Sequence, residues 1–224
     1  MGEMHSVELA ADAELAYTGV WMSGLRGQRM FRELDLADAD DAVLGEVAEM
    51  TWLRVLKARG PFTDEGVRRL TGLRELFDLW LDSDRIEGEF TPPDSPLRVM
   101  SLSGAALEDR SLRLVGRYPD LRVVRWSSDT ATGDGLGWLP LGVRMLYLRL
   151  PRLDVERLTT LAQLPYLGTL TFSGTAPTPE LSALLAGLGG ELSRVDFLGV
   201  ERPEPAAIRP LAEAGIKVNT AQPV

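Results

Sequence analysis

Apolar residues in this chain hold one spacing for several steps and then change it. In "VERLTTLAQLPYLGTLTF" leucines stand at 158, 161, 164, 167 and 170, three apart, and the next step, to Phe172, is two. Three-residue steps suit a helix or a 3₁₀ turn, and two-residue steps suit a strand. The same change recurs in Leu44, Val47, Met50, Leu53, Leu56 and Ala58, in Val67, Leu70, Leu73, Leu76, Leu79 and Leu81, and in Leu112, Val115, Tyr118, Leu121, Val124 and Trp126. The closing pairs are Leu34/Leu36, Leu56/Ala58, Leu79/Leu81, Met100/Leu102, Val124/Trp126, Leu146/Leu148, Leu170/Phe172, Val195/Phe197 and Ile216/Val218. Successive pairs lie 22, 23, 21, 24, 22, 24, 25 and 21 residues apart, which marks nine stacked units rather than one compact fold.

Each unit is expected to supply a short strand with two inward apolar side chains, then a turn, then a return across the far side. Gly60, Gly104, Gly174 and Gly199 fall four residues after the first member of their pair, where a positive φ or a close backbone approach calls for glycine. One unit cannot cover its own apolar face, so stability must come from the interfaces between units. "LDVERLTTLAQL" and "PELSALLAGLGG" are the best helix candidates. Residues 86–96 carry three prolines and should be extended, and the Gly-rich residues 130–142 should be irregular. Residues 1–30, with Trp21, Met22 and Leu25, read as an N-terminal cap on the open end of the stack, and residues 31–224 as the solenoid, one domain overall.

The segments "LRVMSLSG", "VRMLYLRL" and "LGTLTFSG" resemble the LxxLxL strand segment of leucine-rich repeats, and the resemblance runs over about residues 31–220. The longer return segments are similar to ribonuclease-inhibitor-like repeats. The resemblance implies an α/β horseshoe solenoid. Its inner sheet would be parallel with about nine short strands, and its convex side an irregular mix of helices and loops. It also implies protein binding without catalysis. The chain departs from the family three residues after the last strand leucine. There the usual Asn or Cys is replaced by Ala39, Pro61, Asp84, Ala105, Asp129, Pro151, Thr175 and Val200. Of these, Asp84, Asp129 and Thr175 can accept turn hydrogen bonds, so the turns should be uneven.

Charge and composition narrow the chemistry. The chain has no cysteine, which excludes disulfides and thiolate metal sites and suits a reducing cytoplasm. Residues 1–50 hold eleven carboxylates against three arginines, a balance of −8 out of the chain's −9. Such a balance opposes nonspecific binding to nucleic acid. No basic-then-apolar leader and no membrane-length apolar run stands in the sequence, so neither export nor a membrane partner is expected. The single histidine, His5, gives no basis for a nucleophilic triad. The acidic run at 35–46 fails the calcium-loop pattern, with Ala42 and Val43 where a ligand and a glycine belong, and fits turn and helix-cap carboxylates instead. "GDGLG" lacks the spacing of a phosphate loop. The expectation is no catalytic residue, no metal and no cofactor.

The remaining candidate site is the outward face of the strands. Its middle row reads Asp35, Lys57, Trp80, Ser101, Arg125, Tyr147, Thr171, Asp196 and Lys217. Trp80, Arg125, Tyr147 and Arg149, ringed by Lys57, Arg59 and Asp78, are the expected protein-binding residues, because aromatic side chains and arginine among small polar neighbours favour interfaces. The partner is expected to be another protein. An intracellular inhibitor or immunity-type protein is the sharper version. The rival class is an enzyme or small-molecule accessory protein with a carboxylate-lined concave pocket.

Overall fold

The computed structural model describes residues 8–9, 32–91 and 93–221 of the chain. Among these residues ten strands form one open sheet in sequence order, and every neighbouring pair is parallel. They are β1 (Glu8–Leu9), β2 (Glu33–Leu36), β3 (Val55–Arg59), β4 (Asp78–Asp82), β5 (Val99–Ser103), β6 (Val123–Ser127), β7 (Met145–Arg149), β8 (Thr169–Ser173), β9 (Arg194–Leu198) and β10 (Lys217–Ala221). The last nine come from the nine units. The two-residue β1 pairs with Asp35 and Leu36 of β2, inside the segment expected to be a cap. Trp21, Met22 and Leu25, on which the cap expectation rests, lie outside the described residues.

Strand alternation makes the core. Leu34, Leu56, Leu79, Met100, Val124, Leu146, Leu170 and Val195 are in register across the sheet, and each is 3% exposed or less. The second row holds Leu36, Ala58, Leu81, Leu102, Trp126, Leu148, Phe172 and Phe197, all buried. In it the Phe172 and Phe197 rings stack at 5.5 Å. Each fully buried Leu, Val or Phe contributes about 1.5–3 kcal/mol, so neighbouring units hold one another.

The last unit departs from the expected register. Val218, not Ile216, aligns with Val195, so the final spacing is 23 residues and the inward pair is Val218/Thr220. Ile216 is buried beside the Gly215 turn, and its amide donates to the Leu211 carbonyl. No described strand covers β10 on its far side, so its second inward place tolerates Thr220. A two-residue apolar step at the end of a stack therefore does not identify the strand pair. The middle outward residue of β10 is Asn219 rather than Lys217.

The convex side contains α1 (Asp41–Val47), α2 (Asp64–Arg68), α3 (Leu112–Val115), α4 (Pro179–Ala186) and α5 (Pro205–Glu213). Four 3₁₀ segments join them at Arg69–Gly72, Asp109–Ser111, Asp134–Trp138 and Val155–Gln163. The two helix candidates resolve differently. In 155–163 the apolar step is three, and the segment is 3₁₀, whose period is about three residues per turn, so Leu158 and Leu161 eclipse on the buried side. In α4 the step is mixed: Leu181 and Leu185 are buried and Leu184 is partly buried, the signature of an α-helix. Thr178 caps that helix by accepting from the Leu181 amide, and Pro179 opens it. No helix lies in the described part of residues 86–96, and the Gly-rich 130–142 segment contains the Asp134–Trp138 3₁₀ turn.

The turns after the strands use two devices. Gly174 has φ +74°, and at Gly104 a Cβ would run into the Ser83 carbonyl, so the first needs glycine for conformation and the second for space. Asp84 does accept a turn hydrogen bond, from the Ala105 amide at 3.3 Å. Buried Ser83 and Ser128, one residue before Asp84 and Asp129, make the closer links. Ser83 Oγ donates to the Phe62 carbonyl at 2.6 Å and Ser128 Oγ to the Leu107 carbonyl at 2.5 Å. Asp129 instead pairs with Arg149 at 2.9 Å.

Candidate functional site

Parallel strands with a common register place the outward residues in rows. Lys57, Trp80, Ser101, Arg125, Tyr147, Thr171, Asp196 and Asn219 follow one another across β3 to β10. Asp78 lies in the row before them and Arg59 and Arg149 in the row after, so all seven expected residues share this face. Neighbours within a row come from adjacent strands ~4.8 Å apart, which unites residues more than twenty positions apart in sequence.

The centre of the face is a stack. The Arg125 guanidinium lies 4.6 Å from the Trp80 ring centre and 5.7 Å from that of Tyr147. Arg125 reaches Trp80 across β5, where the intervening residue is only Ser101. A bulky residue at 101 would fill that space. Trp80 Nε1 donates to Asp78 Oδ1 at 2.5 Å. Burial is the main influence on the Asp78 carboxyl and pushes it above the usual carboxylate range, against the Trp80 hydrogen bond and the Lys57 charge.

Around the stack the charges are paired. Lys57 Nζ lies 2.8 Å from Glu33, and that hydrogen bond holds the ammonium above its ordinary value. Arg59 lies 3.5 Å from Asp35. Arg149 meets Asp129 at 2.9 Å and the Ser127 hydroxyl at 3.3 Å. Further along, Asp196 is buried at 7% exposure between Arg194, at 2.8 Å, and the Asn219 amide, at 2.7 Å. Asn219 enters this group only because of the shifted register of β10. The Arg125 stack was not visible as a contact in the sequence, although the small Ser101 between two bulky neighbours in the row was its signal.

Chemically, the face offers planar apolar area with a cation held between two rings. Glu33, Asp35, Asp129 and Asp196 each face a cation, and Asp78 faces an indole N–H. Among the described residues no group of three His, Cys, Asp or Glu side chains is arranged to hold a metal ion, and no helix is long and apolar enough to cross a membrane.

No protein-family model matches the sequence, and comparison with curated proteins finds no match. Solved structures do match. The crystal structure of an internalin from Listeria monocytogenes aligns with a TM-score of 0.52 at 17% identity. The alignment covers 88% of this chain and 63% of the internalin chain, so the protein spans less than two thirds of that neighbour. At this identity the likeness concerns the fold. Together with the open parallel sheet and its convex helices and 3₁₀ segments, it establishes that the chain folds as a leucine-rich repeat solenoid.

Proposed function

We propose that this protein is a non-catalytic scaffold that binds another protein on the middle of its concave face, at Trp80, Arg125 and Tyr147. The observation that carries this reading is the Trp80–Arg125–Tyr147 stack, which spans β4 to β7. Flat aromatic area and a guanidinium with unused N–H donors are the groups that dominate interface energetics, at about 2 kcal/mol or more each. Lys57, Arg59, Asp78 and Arg149 surround the stack. Their own carboxylate and indole partners keep them oriented, and rim charges of this kind steer and orient a partner more than they bind it. The reading includes no cofactor, no nucleic acid and no membrane partner, and a cytoplasmic location in keeping with a cysteine-free chain. Its finer form is an intracellular inhibitor or immunity-type protein with ribonuclease-inhibitor-like repeats. That form draws on analogy of fold.

The test is capture from native cell extract with the wild-type chain and with Trp80→Ala/Tyr147→Ala, followed by mass spectrometry and affinity measurement on the captured protein. The expected result is a protein retained by the wild type whose affinity falls more than about tenfold in the variant, with an unchanged circular dichroism spectrum. Equal affinity for both, or loss on the convex change Arg157→Ala instead, overturns the concave assignment.

A further inference from the structure

A second surface runs along the edge where the strands begin. The residue before each strand donates its amide to the carbonyl of its counterpart one unit earlier. Arg54 donates to Arg32 at 2.8 Å, Phe77 to Arg54 at 2.8 Å and Arg98 to Phe77 at 2.9 Å. Arg122 then donates to Arg98 at 2.9 Å and Arg144 to Arg122 at 2.8 Å. This ladder sets Arg32, Arg54, Phe77, Arg98, Arg122 and Arg144 in one row, ~4.8 Å per step. Arginine fills five of the six places in a chain whose net charge is −9.

The two halves of the row differ. Glu75 opposes Arg32 at 3.1 Å and Arg54 at 3.9 Å. Further along, Arg122 has Asp120 at 4.0 Å and donates to the Leu121 and Gly142 carbonyls. Arg98 lies over the exposed Phe77 ring at 5.9 Å. Neither Arg98 nor Arg144 has a carboxylate partner among the described residues, and both are exposed. Three of the large apolar side chains that the fold leaves in solvent lie close to Arg144 along the chain or, for Tyr166, two residues before Gly168, whose amide donates to the Arg144 carbonyl. These are Leu141 at 60% exposure, Met145, which opens β7, at 47%, and Tyr166 at 49%. Arginine, Met and Tyr together are what interface cores enrich. Two uncompensated arginines flanking Arg122, next to exposed apolar area, are complementary to a partner that is acidic and apolar on one side.

The spacing selects the partner's conformation. From Arg98 to Arg144 the row spans two steps, ~9.6 Å. Carboxylates at i and i+7 of an α-helix lie ~10.5 Å apart, with one between them at i+3 or i+4. Carboxylates on one face of an extended strand would need ~13.6 Å for two steps. The helical spacing departs from that of the row by about 1 Å and the extended one by about 4 Å, so the helix is the closer match. We propose that the strand-start edge from Arg98 to Arg144, with Leu141, Met145 and Tyr166 beside it, binds the acidic, amphipathic face of an α-helix from a partner protein. This surface adjoins the concave face at Met145, two residues before Tyr147 on β7, but its arginine row lies outside the stack.

The experiment measures fluorescence anisotropy of a labelled synthetic peptide of about five helical turns. Its Glu residues form one stripe at i, i+3/i+4 and i+7, bordered by Leu. The controls are the same composition scrambled and an oligothymidylate. The full chain should bind the striped peptide at least about tenfold more tightly than the scrambled one, and added salt should weaken it. Arg98→Glu/Arg144→Glu should abolish that preference. Arg85→Glu/Arg152→Glu, the same charge change at exposed positions near the opposite ends of the strands, should keep it. Equal binding of striped and scrambled peptides, or equal losses in the two double variants, overturns the proposal. Tighter binding of the oligothymidylate overturns it too, because the edge would then recognise a phosphate backbone.

Discussion

The concave face and the convex return segments both pair carboxylates with cations, and the convex segments put three carboxylates to a further use. On the concave face Glu33, Asp35 and Asp129 each meet a Lys or Arg side chain of an adjacent strand or turn. The convex side has such pairs too, Arg68 with Glu65 and Arg157 with Asp134, but three of its carboxylates accept from backbone. Asp41 accepts from the Thr63 amide and hydroxyl. Asp64 accepts from the amides of Glu87, Gly88 and Glu89. Asp109 accepts from the amides of Thr132, Gly133 and Gly135 and from the Thr132 hydroxyl. Each of these links joins one unit to the next. A backbone amide that loses its acceptor near the protein interior has nowhere to go, whereas an exposed ion pair that breaks is solvated on both sides. Asp41, Asp64 and Asp109 are therefore stitches between units, while the concave pairs are exchangeable surface charges.

The largest effect should come from breaking what both faces rest on. Leu170 is fully buried between Leu146 and Val195, and Leu170→Asp should abolish cooperative thermal unfolding, because an unpaired buried charge costs several kcal/mol. An unchanged melting temperature would mean that the units do not stack through this row.

Next comes the stitch. Asp109→Ala should cost about 2–3 kcal/mol in urea unfolding, since four donors lose their acceptor in a partly solvated site. It also predicts a pH dependence. Burial works to raise the Asp109 carboxyl, but the hydrogen bonds from Thr132, Gly135 and Gly133 overcome it and hold the group below the usual carboxylate range. A depressed folded value means stability that is present above about pH 4 and is lost as the pH falls through the folded value. Asp78 has the opposite sign: its carboxyl is raised, chiefly by burial, so the folded state loses stability as the pH rises past about 4. Subtracting the Asp109→Ala and Asp78→Asn stability curves from that of the wild type should give slopes of opposite sign between about pH 3 and 5. Slopes of the same sign would break the comparison.

The smallest effect belongs to the exchangeable charges. Asp129→Ala removes a carboxylate from the half-exposed pair with Arg149 and should change stability by no more than about 0.5–1 kcal/mol, less at high salt. A loss comparable to that of Asp109→Ala would show that the concave pairs are structural as well.

Most of the strand register was legible in the sequence, because Leu34/Leu36 through Val195/Phe197 repeat an inward pair that only a stack can bury. The three-step run at 155–163 did not decide its helix type: the same step lies in an α-helix at Leu44/Val47 and Leu112/Val115 and in a 3₁₀ segment here. Asp109 was silent for a physical reason. Its partners lie 23 to 26 residues away and are mostly backbone amides, which every sequence has. The concave residues could be assigned to a face by alternation, but their pairing could not. Whether Arg125 sits over Trp80 depends on the reach of a side chain across Ser101, not on any periodic signal. The final strand was misaligned because Thr220 occupies a place that is apolar in every earlier unit of the solenoid.

The mix of convex elements also sets how the sheet bends. Strands lie ~4.8 Å apart, while packed α-helices need ~8–10 Å between axes, so a helix behind each strand forces the units to fan open. A 3₁₀ segment winds more tightly and is slimmer, and relieves that wedge. Here the α-helices stand toward the two ends, as α1 and α2 and again as the adjacent α4 and α5. Between β4 and β8 the backing is irregular chain, 3₁₀ segments and the four-residue α3. On this argument the arc should be tighter at its ends than at its centre. Trp80, Arg125 and Tyr147 fall in that central span, where a rigid, weakly convex surface should rest without bending the solenoid to meet it.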